Sequence, residues 1–280
     1  MGIDVVILGY GAIGQAVHGL LAEHRSEVRV LGVMDRASLA ETDHCRAGAP
    51  GSDRVLGPAG LKVPVLGLSR AIEIADLVIE CASPSAIRAH GPRITGAGTD
   101  LLIASLGALA DGRLHGMLTA GPGRCHLSTG AIGGLDLIRA SAGTIKAIEL
   151  ETRKLPEALL HPGLPERLRG SITGTTDSGT PKLVFTGSVP EAVQSFPSNI
   201  NVAAALGLAA GNMDLVDVRI IADPGAVLTS HTITVRGDCG NYRFEIQNFP
   251  DPENPATSAL TARSMASGVL RLAGRGSHFI

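Results

Sequence analysis

The sequence predicts an α/β fold. An N-terminal Rossmann domain, a doubly wound parallel sheet, is followed by an α+β catalytic domain with a mixed or antiparallel sheet. Three observations predict it. The apolar run from Ile3 to Leu8 leads directly into Gly9-Tyr10-Gly11-Ala12-Ile13-Gly14, after which Val17, Leu20 and Leu21 recur at helical spacing. Strand-like runs then alternate with helical stretches to about Gly130, as parallel strands with crossover helices require. Beyond Gly130 β-branched runs alternate apolar with polar, as in Thr232-Ile233-Thr234-Val235, which suits a sheet covered on one face.

Each element follows from its pattern. The run 3–8 is apolar at nearly every position and reads as a strand buried on both faces. A second strand, 28–34, ends at Asp35-Arg36. Residues 37–61 are weakly patterned, and a short helix and a loop are expected there. Further strands are expected at 77–79, 101–104 and 124–128, with helices around 86–94 and 110–120. In the second half, strands are expected at 145–153, 182–185, 216–221, 229–235 and 242–246. Ala and Leu fill 201–211, which reads as a buried helix stopped by Gly211. The stretch 156–180 is dense in Pro, Gly, Ser and Thr and reads as a long loop. A last helix is expected over 255–273, with Pro255 in its first turn.

Composition removes several function classes. The 280 residues suit two domains, and 44% hydrophobic against 18% charged residues supply a sizeable core. With 24 basic and 26 acidic residues, the net charge of -2 argues against a nucleic-acid binder. There is no Trp, and two Tyr and five Phe make no base-stacking platform. Cys45, Cys81, Cys125 and Cys239 form no C-x-x-C pair, so neither a disulfide scaffold nor a metal site is expected. The longest apolar stretch, 202–210, is far short of the ~20 residues of a membrane span. The N-terminus has no basic region before its apolar run, so no signal peptide is read there and a cytoplasmic protein is expected.

The glycine turn gives the first functional reading. Gly9 permits a tight turn, Gly11 lets backbone approach a pyrophosphate, and Gly14 lets the helix pack on the strand. Ala12 and Ile13 open that helix, whose N-terminal amides face an anion. Asp35, 21 residues after Gly14, stands where a carboxylate accepts bonds from the adenosine ribose. It favours NAD over NADP by repelling a 2′-phosphate, while Arg36 would stack on adenine or meet that phosphate. Glu80-Cys81-Ala82-Ser83 and Ser105-Leu106-Gly107-Ala108-Leu109 close two further strands, where open α/β sheets bind ligands. Cys81, Ala82, Ser83 and Ser105 are therefore cofactor candidates; helix capping is the alternative for the two serines.

Three later segments narrow the reading: Thr129-Gly130-Ala131-Ile132-Gly133-Gly134-Leu135-Asp136, Phe196 through Leu206 (F-P-S-N-I-N-V-A-A-A-L), and Asn254 through Leu260 (N-P-A-T-S-A-L). With the S-L-G-A-L segment, this set resembles the L-aspartate dehydrogenase family over essentially the whole chain. The resemblance implies NAD(P)-dependent oxidation of L-aspartate to iminosuccinate, which water converts to oxaloacetate and ammonia. Reversibility and a supply role in NAD biosynthesis are implied too. It also implies dinucleotide contacts from Ala131 and Asn201, with a helix N-cap as the alternative for Asn201. His231, after Ala222-Asp223-Pro224, matches the catalytic histidine. The last helix would return to the nucleotide domain, giving domains of 1–128 plus 252–280 and of 129–251, with the active site between them. A homo-oligomer, dimer or tetramer, is expected.

The chemistry agrees with those residue types. A base that titrates near neutrality suits the proton transfer that accompanies hydride loss from Cα, and histidine is that base. A satisfied histidine on a sheet face is the alternative for His231. Arg153 and Lys154 are candidates for a substrate carboxylate, and Thr229 for the pocket lining. Thr229 stands where many members have asparagine, Ala256 where many have lysine, and Cys239 where an aromatic is usual. Those departures keep open a dehydrogenase or reductase acting on another imine, amino acid or hydroxy acid, and a non-catalytic NAD(H)-binding regulator.

Overall fold

Strand β1 (Ile3–Leu8) lies inside the first sheet, between two neighbours, with Val5, Val6, Ile7 and Leu8 wholly buried on both faces. The structure is a computed structural model; it describes residues 2–35, 54–57, 60, 62–197, 200–251 and 257–274. The chain continues through α1 (Ala12–Leu21), β2 (Val28–Met34), β3 (Arg54–Leu56), β4 (Lys62–Pro64), α2 (Leu68–Ile74) and β5 (Leu77–Glu80). It goes on through α3 (Pro84–Gly96), β6 (Asp100–Ile103), α4 (Gly112–Thr119) and β7 (Cys125–Leu127). The sheet order is β2-β1-β5-β6-β7, with every pairing parallel. The winding reverses between β1 and β5, and open α/β sheets bind ligands at the carboxyl ends of strands at such a reversal.

The second half holds α5 (Leu135–Ala140), β8 (Ile145–Lys154), α6 (Glu166–Ser178), β9 (Lys182–Ser188), α7 (Val189–Ser195) and α8 (Asn201–Ala210). Strands β10 (Val216–Ala222), β11 (Thr229–Gly237) and β12 (Gly240–Asn248) and helix α9 (Ala259–Leu272) complete it. The sheet order is β12-β11-β8-β10-β9; β10 and β8 are parallel and the other pairs antiparallel. Ile148, Leu150, Val216, Val218, Ile220, Ile233 and Val235 are buried on the face that α8 covers. The other face carries Glu149, Glu151, Arg153, Arg219 and Arg236 in ion pairs. The period-2 alternation of these strands thus separates an apolar face from a charged one.

The chain divides into two compact units, Met1–Ser128 with Thr261–Ile280, and Thr129–Leu260. Helix α9 belongs to the first unit because Ala262, Met265, Ala266 and Val269 form one helical stripe in the β1–β2–β5 core. Ser264 Oγ lies 3.2 Å from Ser128 Oγ, just past β7.

Four expectations change. The stretch 156–180 is not a loop. It holds a 3-10 turn, Pro156–Leu159, and helix α6, whose Leu168, Ile172 and Thr175 are buried at helical spacing. Gly and Thr between those positions hide the stripe, and packing outweighs their low propensity. Residues 110–120 split into a 3-10 turn, Leu106–Ala110, and α4, which Asp111 caps by accepting from Arg113 N and Leu114 N. The last helix begins at Ala259, and Pro255 lies outside the described residues. Most of 37–61 also lies outside them, but Arg54–Leu56 is a strand paired with Lys62–Pro64.

Candidate active site

The glycine turn separates into three steric roles. Gly9 has φ +93, and a Cβ there would lie 2.6 Å from Ala82 Cα. A Cβ on Gly14 would lie 2.1 Å from Gly9 O, so only glycine lets α1 start so close to the turn. Gly11 differs, because nothing lies within 4 Å of its would-be Cβ. A side chain there would fill open space beside the backbone of the turn. Helix α1 starts at Ala12 and Ile13 with no capping side chain and no acidic residue in its first turn, which favours an anion there. Tyr10 closes the turn from the side, its hydroxyl 2.6 Å from His18 Nδ1.

The neighbouring strand ends converge on this turn. Gly9 N donates to Met34 O at 2.8 Å, which brings the end of β2, and Asp35 after it, beside the turn. Cys81 N donates to Leu8 O at 2.8 Å. Ser83 caps α3, accepting from Ala86 N at 3.2 Å, so its capping role is realised. Ser105 does not cap. Its hydroxyl donates to Glu80 Oε1 at 2.8 Å and its N–H to Glu80 Oε2 at 2.9 Å. Gly9, Gly11, Ala12, Ile13, Gly14, Asp35, Cys81, Ala82, Ser83 and Ser105 therefore all lie at the carboxyl edge of one sheet. Arg36 lies outside the described residues.

In the second unit, alternation along β8 and β11 assembles a different cluster. Thr152 and Lys154 share the covered face of β8, and His231 stands opposite Thr152 on β11. Lys154 is 7% exposed and His231 3%, burial that ionisable side chains seldom show. Thr152 Oγ1 and His231 Nδ1 are 3.0 Å apart. Burial, joined by the Lys154 charge, lowers the His231 pKa to about 3, so in the free protein it does not titrate near neutrality as its residue type suggests. Burial lowers the Lys154 pKa to about 8. Thr229, two residues before His231, shares its face and pairs across the strands with Asn248.

Asn248 links this cluster to the loop before α5. Its Nδ2 donates to Ala131 O at 2.8 Å, and both residues are buried. Gly134, at φ +82, ends that loop against the Phe244 ring, 2.6 Å from its would-be Cβ. Asn201 is the first residue of α8; Ile200 holds the cap position, so the N-cap alternative does not hold. Helix α8 packs on α5, which starts just after the Ala131 loop.

Arg153 does not join Lys154. Successive residues of a strand point to opposite faces, and Arg153 Nη1 instead donates to Asp223 Oδ2 at 3.0 Å. Thr152, Asn248 and Glu80 were not singled out by sequence reasoning. Asn248 and Thr152 sit in alternating strands among many polar residues, and only the register reveals their partners. Glu80 did leave a signal, as the carboxylate that ends the apolar Leu77-Val78-Ile79. Among the described cysteines, burial raises the thiol pKa of Cys81 well above its usual value and that of Cys125 to about 11, which removes both as ready nucleophiles.

Comparison with known proteins places this arrangement. Residues 9–121 match the family model described as the homoserine dehydrogenase NAD binding domain. Residues 136–272 match the one described as the C-terminal domain of aspartate dehydrogenase. A parallel sheet with this turn, followed by a mixed-sheet unit carrying a buried histidine, defines an NAD(P)-dependent dehydrogenase of two units. A curated L-aspartate dehydrogenase of Ruegeria pomeroyi is 36% identical over 258 residues, 90% of this chain and 89% of that protein. Another, of Methanothermobacter thermautotrophicus, is 36% identical over 265 residues, 93% and 92% of the two chains. The crystal structure of aspartate dehydrogenase from Thermotoga maritima superposes with a TM-score of 0.67 at 28% identity, covering 100% of this chain and 99% of that one. The chain belongs to the L-aspartate dehydrogenase family. A hyperthermophilic archaeal homoserine dehydrogenase, 11% identical with a TM-score of 0.59, shares the fold.

Proposed function

We propose that this protein catalyses the reversible NAD(P)-dependent oxidation of L-aspartate to iminosuccinate, which water converts to oxaloacetate and ammonia. The observation that carries the proposal is the buried Lys154–Thr152–His231 cluster at one end of the covered sheet face, in a chain of this family. The Lys154 ammonium binds one substrate carboxylate as a compact point charge. His231 donates Nδ1–H to Thr152 Oγ1, leaving the Nε2 lone pair as the base. That nitrogen takes the proton shed by the substrate amine as its Cα–N bond becomes C=N, and returns it in the reverse direction. When bound, the dinucleotide would supply the hydride acceptor in oxidation and the donor in reduction.

The two side chains are coupled through charge. In the free protein Lys154 lowers the pKa of His231. A substrate carboxylate paired with Lys154 removes that repulsion, so His231 becomes a stronger base when aspartate is bound. Thr229 lines the pocket beside His231. Ala131 and Asn201 would hold the dinucleotide, as the family implies, and Asn248 Nδ2 donates to the Ala131 carbonyl. Asp35 favours NAD, because a carboxylate at the end of β2 repels a 2′-phosphate.

A cytoplasmic homo-oligomer completes the proposal. Exposed Val227 and Phe249, which flank the Thr229–Asn248 pair, are the apolar surface that supports association. No helix among the described residues is long and apolar enough to cross a membrane. Initial rates at alkaline pH test the reaction: L-aspartate crossed with NAD and NADP, with D-aspartate and L-glutamate as controls. Reduced nicotinamide should accumulate with L-aspartate alone, faster with NAD. Cofactor binding without turnover of L-aspartate would refute the substrate assignment.

A further inference from the structure

Glu80 ends β5 with zero exposure, between Leu8 of β1 and Ile103 of β6. Its carboxylate accepts four hydrogen bonds. Oε1 receives Ala82 N at 2.9 Å and Ser105 Oγ at 2.8 Å. Oε2 receives Ala104 N at 3.1 Å and Ser105 N at 2.9 Å. Three of the donors are backbone amides, so the arrangement fits an ionised carboxylate held by dipoles. The donors come from two separate loops, one after β5 and one after β6. The first loop is also the wall of the glycine turn, since Ala82 occupies the space a Gly9 Cβ would need.

We propose that Glu80 is a positioning residue for the dinucleotide: one buried carboxylate sets the spacing of the three loops at the carboxyl edge of the first sheet. The proposal rests on the reading that this edge holds the cofactor. Ala82 is pulled toward Glu80 by its N–H and in turn sets where Gly9 lies. Ser105 is pulled from the other side through both N–H and hydroxyl. No apolar residue at position 80 would bridge the loops, and burying a carboxylate is costly without such donors. Glutamine keeps the size but turns an NH2 toward amide donors, so at least one of the two loops must move away. Aspartate, one methylene shorter, does not reach both.

The test measures cofactor affinity by NADH fluorescence titration, together with KM for L-aspartate and kcat at saturating cofactor. Three variants are compared: Glu80→Gln, Ser105→Ala and Gly11→Val. Gly11→Val tests the underlying reading alone, because it fills the open space at the turn without touching Glu80. Glu80→Gln should weaken cofactor binding about tenfold or more, since it breaks bonds to a charged acceptor. KM for L-aspartate and kcat at saturating cofactor should stay within about threefold, a split that general misfolding would not produce. Ser105→Ala, which keeps three of the four donors, should cost roughly threefold in affinity and decides the matter if Glu80→Gln does not fold. Unchanged affinity in folded Glu80→Gln, or in Ser105→Ala where that variant must serve, would overturn the proposal, provided Gly11→Val weakens binding. An unaffected Gly11→Val would instead overturn the placement of the cofactor at this edge, and the proposal with it.

Discussion

Glu80 in the first unit and the Lys154–His231 pair in the second are buried to nearly the same depth, but Glu80 accepts four hydrogen bonds from two loops. Burial raises the pKa of the Glu80 carboxyl, and hydrogen bonds from three backbone amides and the Ser105 hydroxyl offset part of that rise. For Lys154 and His231 burial is likewise the largest cause, and both pKa values fall, to about 8 and about 3. The first arrangement ties two loops to one carboxyl group. The second holds two groups whose charge responds to what binds. Nucleotide binding needs the former, because a pyrophosphate is recognised by preset backbone. Proton transfer needs the latter, because the base must change state during turnover.

The largest effect that sharpens this contrast is the loss of the base. His231→Ala should lower kcat by about 10²- to 10⁴-fold while leaving NADH affinity within about twofold. Stopped-flow and fluorescence titration on one preparation check both halves. A variant that retains full turnover would remove His231 from the chemistry.

Next in size is the pH dependence of stability. The folded pKa of Lys154, about 8, lies below its ordinary 10.5. Between those values the unfolded chain holds more protons, so stability should rise with pH across that window. Below it the destabilisation is fully present. The rise should approach roughly 3 kcal/mol and vanish in Lys154→Met. Urea titrations of both proteins at pH 7.5 and 10.5 measure it, and parallel curves would show that Lys154 is not desolvated.

A smaller effect separates two glycines of the same turn. Gly14→Ala must push Gly9 O aside and should cost about 1–3 kcal/mol in stability. Gly11→Ala meets open space and should leave the melting temperature unchanged while weakening cofactor binding. Equal thermal losses in the two would blur the distinction between packing and ligand roles.

The first unit was more legible in the sequence than the second. Strands β1, β5 and β6 are largely buried on both faces and read as apolar runs, and a glycine turn between strand and helix has few other uses. In the second unit, alternation revealed β8 and β11 but not which residues meet across them. Thr152 became a partner of His231 only through the register, and Arg153 left the candidate cluster for the same reason. Helix α6 was hidden because its glycines and threonines resemble a loop, while its three buried positions depend on tertiary packing. Glu80 was visible as a residue, yet its role depends on amides from two loops, and no sequence pattern encodes those.

The central claim is that Lys154 is the charged end of the substrate site. Its most direct test is the pH dependence of succinate binding, since succinate has both carboxylates and no amine to titrate. His231, with a pKa of about 3, stays neutral throughout the range used. Binding of succinate to the NAD-saturated protein should be flat up to about pH 8 and then weaken about tenfold per pH unit as Lys154 loses its proton. In Lys154→Arg the break should disappear, because guanidinium keeps its charge. Succinate affinity that is constant from pH 7 to 10 in the unaltered protein would contradict the assignment.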